Sequence, residues 1–471
     1  MIEKIANAPE KAAENAVQRC ISPSCGASFG LRERIYLCSH CGGPLEIECE
    51  LPKKTKLGDA ESLRKQWLAR SASSAPRDRS GVWRYRELLP FDDAAPVVTL
   101  FEGNTPLYDA PRCAQYSGLQ ALRLKHQGCN PTGSFKDTGM TVAVTQAVLL
   151  GARTAICAST GNTAASLAAY SARAGLQCAI LLPRGQITAS KLAQSMDYGA
   201  SIFELDGNFD VCMRLIQEMG DDPSIYVANS INPFRIEGQK TVAFELMQQC
   251  AWQVPDHIVV PGGNMGNSSA LGKGFAEMLR IGLIDRLPKL NIIQAEGSAP
   301  LAHLFGELQS KKSARIADLP DTLEPVAHPH TLATAIKIGA PVSWRKALRA
   351  VLESHGQIIT VSEPEIADSK AIIGRDGIGC EPASATTVAG IRKLVVAKHI
   401  RPEESVIAVL TGHVLKDPEY VSHYHRGTLS ESSSVVCESA LAQPIAGKFR
   451  NAPERVAASK SAILERLHHA K

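Results

Sequence analysis

The chain has 471 residues and a formal net charge of +4, a balance too small for the positive field of a nucleic-acid-binding protein. Apolar residues at 44% and charged residues at 21% are ordinary globular values, and at ~150 residues per domain the length suggests about three domains. Intrinsic disorder, a collagen-like chain and a small disulfide scaffold are excluded as descriptions of the whole.

The start, Met1-Ile2-Glu3-Lys4-Ile5-Ala6, has no apolar core behind its charges, so no signal peptide is expected. No apolar run approaches the ~20 residues of a membrane helix; the run Cys178-Ala179-Ile180-Leu181-Leu182 stops at a proline. Of thirteen cysteines, Cys20, Cys25, Cys38, Cys41 and Cys49 fall in the first fifty residues. Others, such as Cys157, Cys178 and Cys250, lie singly in apolar surroundings. That is the usage of a cytoplasmic protein with reduced thiols. The stretch Ser71-Ala72-Ser73-Ser74-Ala75-Pro76 reads as a linker, and from Gly81 the composition is that of a folded enzyme core.

Four segments carry chemistry. In Asn130-Pro131-Thr132-Gly133-Ser134-Phe135-Lys136-Asp137, Ser134 and Asp137 fit a capping box that starts a helix. Lys136 then sits in the first turn, where the positive helix end and loss of solvent disfavour an ammonium. A lysine of lowered pKa suits Schiff-base chemistry, although most single lysines are solvated surface groups. Next come a strand over Thr154-Ala155-Ile156-Cys157-Ala158, a helix over about 164–174 ended by Gly175, a strand over 177–182, a helix over about 190–198 and a strand over 201–205. This βαβαβ order is the mark of a parallel sheet covered by helices. Within it, the second segment, Ser159-Thr160-Gly161-Asn162-Thr163, opens the first helix. It offers hydroxyls, an amide and free N–H groups, which suit a carboxylate, or it is an ordinary capped turn.

The pattern returns with a strand over 257–260 and a helix from about Ser268, joined by the third segment, Pro261-Gly262-Gly263-Asn264-Met265-Gly266-Asn267. It matches neither GxGxxG nor GxxxxGK[ST], so a compact monophosphate at the helix end fits better than a nucleotide. Residues 291–295 and 405–410 read as further buried strands. The last of them ends in the fourth segment, Val409-Leu410-Thr411-Gly412-His413, whose hydroxyl could face a ring nitrogen. From Lys448 the chain is basic, with Ile463, Leu464 and Leu467 on one helical face, which reads as a surface helix packed on the body or a frayed tail. The fold class is therefore α/β with two parallel sheets, and ligands are expected beyond the carboxyl ends of the strands. A lysine amine, a phosphate cradle, a carboxylate loop and a strand-end hydroxyl together match what pyridoxal phosphate needs.

At these residues the sequence resembles the threonine synthases, pyridoxal-phosphate enzymes of fold type II with a tryptophan-synthase-β-like fold. The matching runs include 102–107 (EGNTPL), 132–137 (TGSFKD), 159–166 (STGNTAAS), 229–241 (NSINPFRIEGQKT), 335–344 (AIKIGAPVSW), 379–385 (GCEPASA) and 410–413 (LTGH). The resemblance covers roughly residues 80–425. Ala340 and Val414 depart from it, standing where many relatives carry Asn and Gly. It implies that Lys136 carries the cofactor aldehyde and shuttles protons, and that Asn162 meets the ring oxygen. It also implies that Gly263, Asn264, Met265, Gly266 and Asn267 hold the cofactor phosphate and that Thr411 meets the ring nitrogen. Ser159, Thr160 and Thr163 would hold the substrate carboxylate, and Asn229 and Arg235 the substrate phosphate. The implied reaction turns O-phospho-L-homoserine and water into L-threonine and phosphate. The alternative is a cysteate-synthase-like replacement or a threonine-dehydratase-like deamination. The spacing Cys20-x4-Cys25 and Cys38-x2-Cys41 resembles a zinc ribbon, whose four thiolates match a structural zinc ion; the alternative is a ribbon that packs its thiols without metal.

The organisation expected is a zinc-ribbon-like segment at 1–50, a helix and linker at 51–80, and a larger cofactor-binding domain from 81–145 with 245–425. A smaller α/β domain follows from 146–244, and a tail from 426–471. The expected partners are the small-molecule substrate and a second copy in a homodimer, with no nucleic acid and no membrane.

Overall fold

The computed structural model describes residues 16–49, 60–185, 189–311, 316, 319–430 and 444–469. Among these residues there are three sheets. An antiparallel ribbon comes first, ordered β2-β1-β3, from β1 (Ala16–Cys20), β2 (Ser28–Gly30) and β3 (Leu45–Cys49).

The largest sheet has six strands in the order β12-β11-β10-β13-β5-β4. They are β4 (Leu107–Asp109), β5 (Leu122–His126), β10 (His257–Pro261), β11 (Lys289–Ala295), β12 (Ile358–Val361) and β13 (Val406–Leu410). The four-stranded sheet runs β8-β7-β6-β9, from β6 (Thr154–Ala158), β7 (Gln177–Pro183), β8 (Ser201–Leu205) and β9 (Ile225–Val227). Both sheets are parallel, as the βαβ pattern predicts, except that edge strand β4 pairs antiparallel with β5.

The strands of the large sheet are apolar on both faces because both are covered. Ile258, Val260, Ile407 and Val409 face one core, and Val259, Val406, Ala408 and Leu410 face the other. Two helices join the sheets, Lys136–Leu149 and Phe234–Gln249. They cross closely enough that a Cβ on Gly238 would lie 1.9 Å from the Thr138 carbonyl oxygen. That contact sets Lys136 and Arg235, at the two helix starts, beside one another.

The ribbon grips both halves. Arg34 donates to the carbonyls of Leu150 and Ile225, and the Val227 N–H donates to the Tyr36 hydroxyl at 2.7 Å. On its other side Lys346 donates to the Leu45 carbonyl at 2.6 Å, Lys273 donates to the Ile47 carbonyl, and Glu46 pairs with Arg349 at 3.2 Å.

Three expectations are corrected. No Ser134–Asp137 capping box forms: the helix begins at Lys136, and Asp137 turns back to Thr132 and Ser166 instead. The helices expected from about 164 and 268 start two residues earlier, at Asn162 and Gly266. Of the two readings of the C-terminal segment, packing on the body is the one not seen: a helix forms at Lys460–His469, with Ile463, Leu464 and Leu467 exposed. Residues 1–15, 50–59 and 431–443, parts of the expected first, second and last segments, lie outside the described residues.

Candidate active site

The loops that leave β13, β10 and β6 all follow carboxyl ends of parallel strands. Thr411 follows β13, and its carbonyl accepts from the Phe135 N–H at 2.9 Å. Ser134 and Gly412 form a β-bridge. The lysine loop is thereby pinned to the end of the central strand.

Lys136 is the first residue of its helix. Dense protein surrounds it, though part of the side chain reaches solvent, and its ammonium sits 4.0 Å from the Phe135 ring centroid. Its pKa is lowered from the usual 10.5 to about 7. Desolvation is the first cause and Arg235 repulsion the second, with Glu381 opposing them. The low pKa expected from sequence is present, but repulsion from Arg235, which no local pattern around Lys136 shows, contributes to it.

Arg235 is 3% exposed. One terminal nitrogen donates to the Ala228 carbonyl at 3.1 Å, while its Nε is buried without a partner. No carboxylate lies within ion-pair distance among the described residues. Burial lowers its pKa to about 10. A buried, unpaired guanidinium is costly unless an anion joins it. Asn229, which the resemblance assigns with Arg235 to the substrate phosphate, has its side-chain amide bonded to the backbone. Its Oδ1 accepts from the Ala158 N–H and its Nδ2 donates to the Ala158 carbonyl, both at 3.0 Å. It braces the end of β6 just ahead of Ser159.

Ser159, Thr160, Gly161, Asn162 and Thr163 are all half-buried. A Cβ on Gly161 would meet nothing within 4 Å, so this loop faces open space. Asn162 Nδ2 donates to Glu381 Oε2 at 2.9 Å, and Thr411 Oγ1 donates to Glu381 Oε1 at 2.8 Å. These two bonds tie the small sheet's first helix to the large sheet's central strand.

The β10 loop has Met265 at φ 62° as the cap of helix Gly266–Arg280. The Asn264 Oδ1 accepts from the Val342 N–H at 2.6 Å, which fixes the loop against residues 341–343. Among the described residues, the N–H groups of Gly263, Asn264, Met265, Gly266 and Asn267 have no hydrogen-bond acceptor. Five free amides at a glycine-rich helix start offer an anion cradle. Asn267 Nδ2 donates to Gln127 Oε1 at 3.0 Å, while its Oδ1 stays unpaired. A near-neutral amine, a free amide cradle and a strand-end hydroxyl are therefore present together, and these residues fit pyridoxal phosphate.

Sequence reasoning gave no role to Glu381 or Lys416. Glu381 is 3% exposed, and its carboxyl is pushed above the usual range by burial. Lys416 donates to Gln194 Oε1 at 2.6 Å, and burial lowers its pKa. The signal for Glu381 was available: one carboxylate in the apolar run Ile378-Gly379-Cys380-Glu381-Pro382-Ala383. A separate surface cavity of about 670 Å³, lined by Ser71, Ser73, Arg79, Arg84, Phe101 and Asn104, contains none of these groups.

At the ribbon, the thiols of Cys20, Cys25, Cys38 and Cys41 lie within 4.8 Å of one another. A tetrahedron with metal–sulfur bonds of about 2.3 Å needs sulfurs about 3.8 Å apart; Cys20–Cys41 is 3.4 Å and Cys25–Cys38 is 3.6 Å. Gly26 and Gly42, at φ 58° and 69°, make the turns after each pair.

Residues 98–412 match the family model described as pyridoxal-phosphate dependent enzyme. The chain is 45% identical over 404 residues to a threonine synthase of Methanocaldococcus jannaschii, covering 86% of this chain and 93% of that one. It is 45% identical over 337 residues to a threonine synthase of Mycobacterium bovis, covering 71% and 88%. Among solved structures it is similar to a threonine deaminase isoform of Solanum lycopersicum, with a TM-score of 0.56, 17% identity and coverage of 76% and 85%. It is also similar to a fungal L-serine ammonia-lyase from Rhizomucor miehei, with a TM-score of 0.56, 17% identity and coverage of 69% and 99%. These last two likenesses bear on the fold.

Proposed function

The chain belongs to the threonine synthases, within the pyridoxal-phosphate-dependent enzymes, and on that premise we propose that it converts O-phospho-L-homoserine and water to L-threonine and phosphate, the last step of threonine biosynthesis. The observation that carries the reading is the pairing of Lys136, whose pKa is lowered to about 7, with Arg235, buried and without a carboxylate in ion-pair range among the described residues. A deaminase acting on an unphosphorylated amino acid has no use for that second charge.

Pyridoxal phosphate, when bound, supplies an aldehyde for the substrate amine and a ring that stores the electron pair left at Cα. The residues of this chain do the rest. The amides of 263–267 hold the cofactor phosphate, and Asn162 and Thr411 address the ring oxygen and nitrogen. Ser159, Thr160 and Thr163 hold the substrate carboxylate at the start of helix Asn162–Ala174. Arg235 binds the substrate phosphate, which neutralises its own buried charge, while Asn229 braces the 158–160 turn. The Lys136 amine takes the Cα proton and then moves protons between Cα, Cβ and Cγ. The Cγ–O bond breaks and phosphate leaves, Cγ gains a proton, and water adds its hydroxyl to Cβ while its proton passes to Cα. An amine with a pKa near the working pH can both take and return these protons.

The four ribbon thiolates hold one structural zinc ion in this reading, and the setting is cytoplasmic, with a homodimer as the assembly. Incubation of the purified protein with phosphohomoserine should release phosphate and threonine in equal amounts. Formation of cysteate from phosphoserine and sulfite, or of ammonia from threonine, with no turnover of phosphohomoserine, would replace this reading. A Lys136→Ala variant that released phosphate at the parent's rate would remove the lysine from it.

A further inference from the structure

We propose that Glu381 is a positioning residue that sets, through Thr411, whether the hydroxyl facing the cofactor's ring nitrogen donates or accepts a hydrogen bond. The proposal rests on the reading that Thr411 meets that nitrogen, and it deepens it.

Glu381 sits where a helix cap would sit, just before helix Pro382–Val396, yet it makes no capping bond with its side chain. No cation lies within 4 Å of its carboxyl among the described residues. Its main-chain N–H donates to the Gly412 carbonyl at 2.9 Å, which fixes the side chain beside the end of β13. A buried carboxylate that neither caps nor pairs is expensive to keep. Its partners are the Asn162 amide and the Thr411 hydroxyl, the two side chains assigned to the ring's oxygen and nitrogen.

The hydrogen-bond count around Thr411 decides the outcome. Its hydroxyl has one proton and two lone pairs. Ser384 Oγ accepts from the N–H groups of Thr411 and Gly412, at 2.8 and 3.3 Å. That leaves the Ser384 proton to point at Thr411 Oγ1, 3.1 Å away. When Glu381 is ionised it can only accept, so the Thr411 proton stays on Glu381. Thr411 then turns its remaining lone pair outward, an acceptor that suits a protonated ring nitrogen. When Glu381 carries a proton, it donates to Thr411 instead. The Thr411 proton then points outward, a donor that suits an unprotonated ring nitrogen. One proton at a buried carboxyl is thereby read as one proton more or less at the ring, and no other bond changes.

The charged groups around this carboxyl come from two elements. Lys136 faces it from helix Lys136–Leu149 and Lys416 from the turn Val414–Lys416; both favour the ionised form. Cys380 lies beside it, with its own thiol held neutral by burial. Burial outweighs the two lysines and raises the carboxyl above its ordinary value, which brings its titration closer to the range where Lys136 works.

The test uses the full chain reconstituted with pyridoxal phosphate carrying nitrogen-15 in the ring. In the parent, the ring-nitrogen resonance should move with pH in one step that tracks Glu381. In Glu381→Gln the side-chain NH2 meets Thr411 as a donor, because the one oxygen left accepts from Asn162. The resonance should then stay at the unprotonated position across that range, with kcat lowered roughly tenfold or more and KM for phosphohomoserine within about twofold. Glu381→Asp should restore a pH step, displaced from the parent's. If the Gln resonance follows the parent's through the whole range, or if Asp behaves as Gln does, the proposal is wrong. Retained cofactor with an unchanged profile overturns this role alone. A parent with no borohydride-reducible adduct on Lys136 takes down the enzyme reading and this role together.

Discussion

Replacing Lys136 by Met should make the cofactor-stripped protein more stable at neutral pH, although it abolishes the chemistry. An ammonium whose pKa falls from 10.5 to about 7 is disfavoured by desolvation and by Arg235. At about 1.4 kcal/mol per pKa step, the penalty is on the order of 4 kcal/mol at pH 7. The sign follows from proton counts. Between pH 7 and 10.5 the unfolded chain keeps a proton on this lysine that the folded chain has released, so stability rises with pH through that window. Met has similar length and no charge, so it removes the penalty without leaving a large cavity. Urea unfolding of the stripped parent and of Lys136→Met, at pH 7, 8.5 and 10, isolates the effect. Other buried lysines, such as Lys346 with its pKa lowered to about 8, contribute equally to both proteins and cancel. The variant should exceed the parent by about 2 to 4 kcal/mol at pH 7 and converge with it near pH 10.5. A variant less stable than the parent at pH 7, or a constant difference across pH, would refute the desolvation argument and, with it, the account of why this amine is a usable base.

Three further outcomes follow from the same structure. Arg235→Gln should keep the visible chromophore but lower kcat/KM for phosphohomoserine by about 10²-fold or more, the size expected for a lost charge-assisted phosphate contact; steady-state kinetics beside an absorbance spectrum measures both. Gly238→Ala should cost about 1–3 kcal/mol or prevent folding, since its Cβ would lie 1.9 Å from the Thr138 carbonyl oxygen at the crossing of two helices; thermal melting of the soluble fraction reads this. Elemental analysis should find about one zinc per chain, lost in Cys41→Ser, with a lower melting temperature as the ribbon loosens its hold on Leu150 and on Lys273. A metal-free parent of unchanged stability would argue for a dry ribbon.

Much of this molecule could be read along the chain. The strand Thr154–Ala158 and the helix stop at Gly175, φ 73°, come from apolar runs and from a backbone position that glycine fills best. The glycine loop at 262–266 announced an anion site because glycines and a helix start are local features. The capping box that the spacing of Ser134 and Asp137 predicts does not form, for the opposite reason. Its residues have the right spacing, but Asp137 finds Ser166, 29 positions away, and Thr132 instead.

The sequence by itself determined the element types, the parallel α/β class and which amine, loop and hydroxyl could serve a cofactor, because periodicity, glycine and helix-end electrostatics act within a few residues. Only the tertiary structure decided that Arg235 lowers the pKa of Lys136 across 99 positions, that Asn229 braces a strand end, and that Glu381 joins Asn162 to Thr411. Those effects depend on burial and on distances between charges, and neither quantity exists until two helices cross at Gly238 and two sheets close on one site.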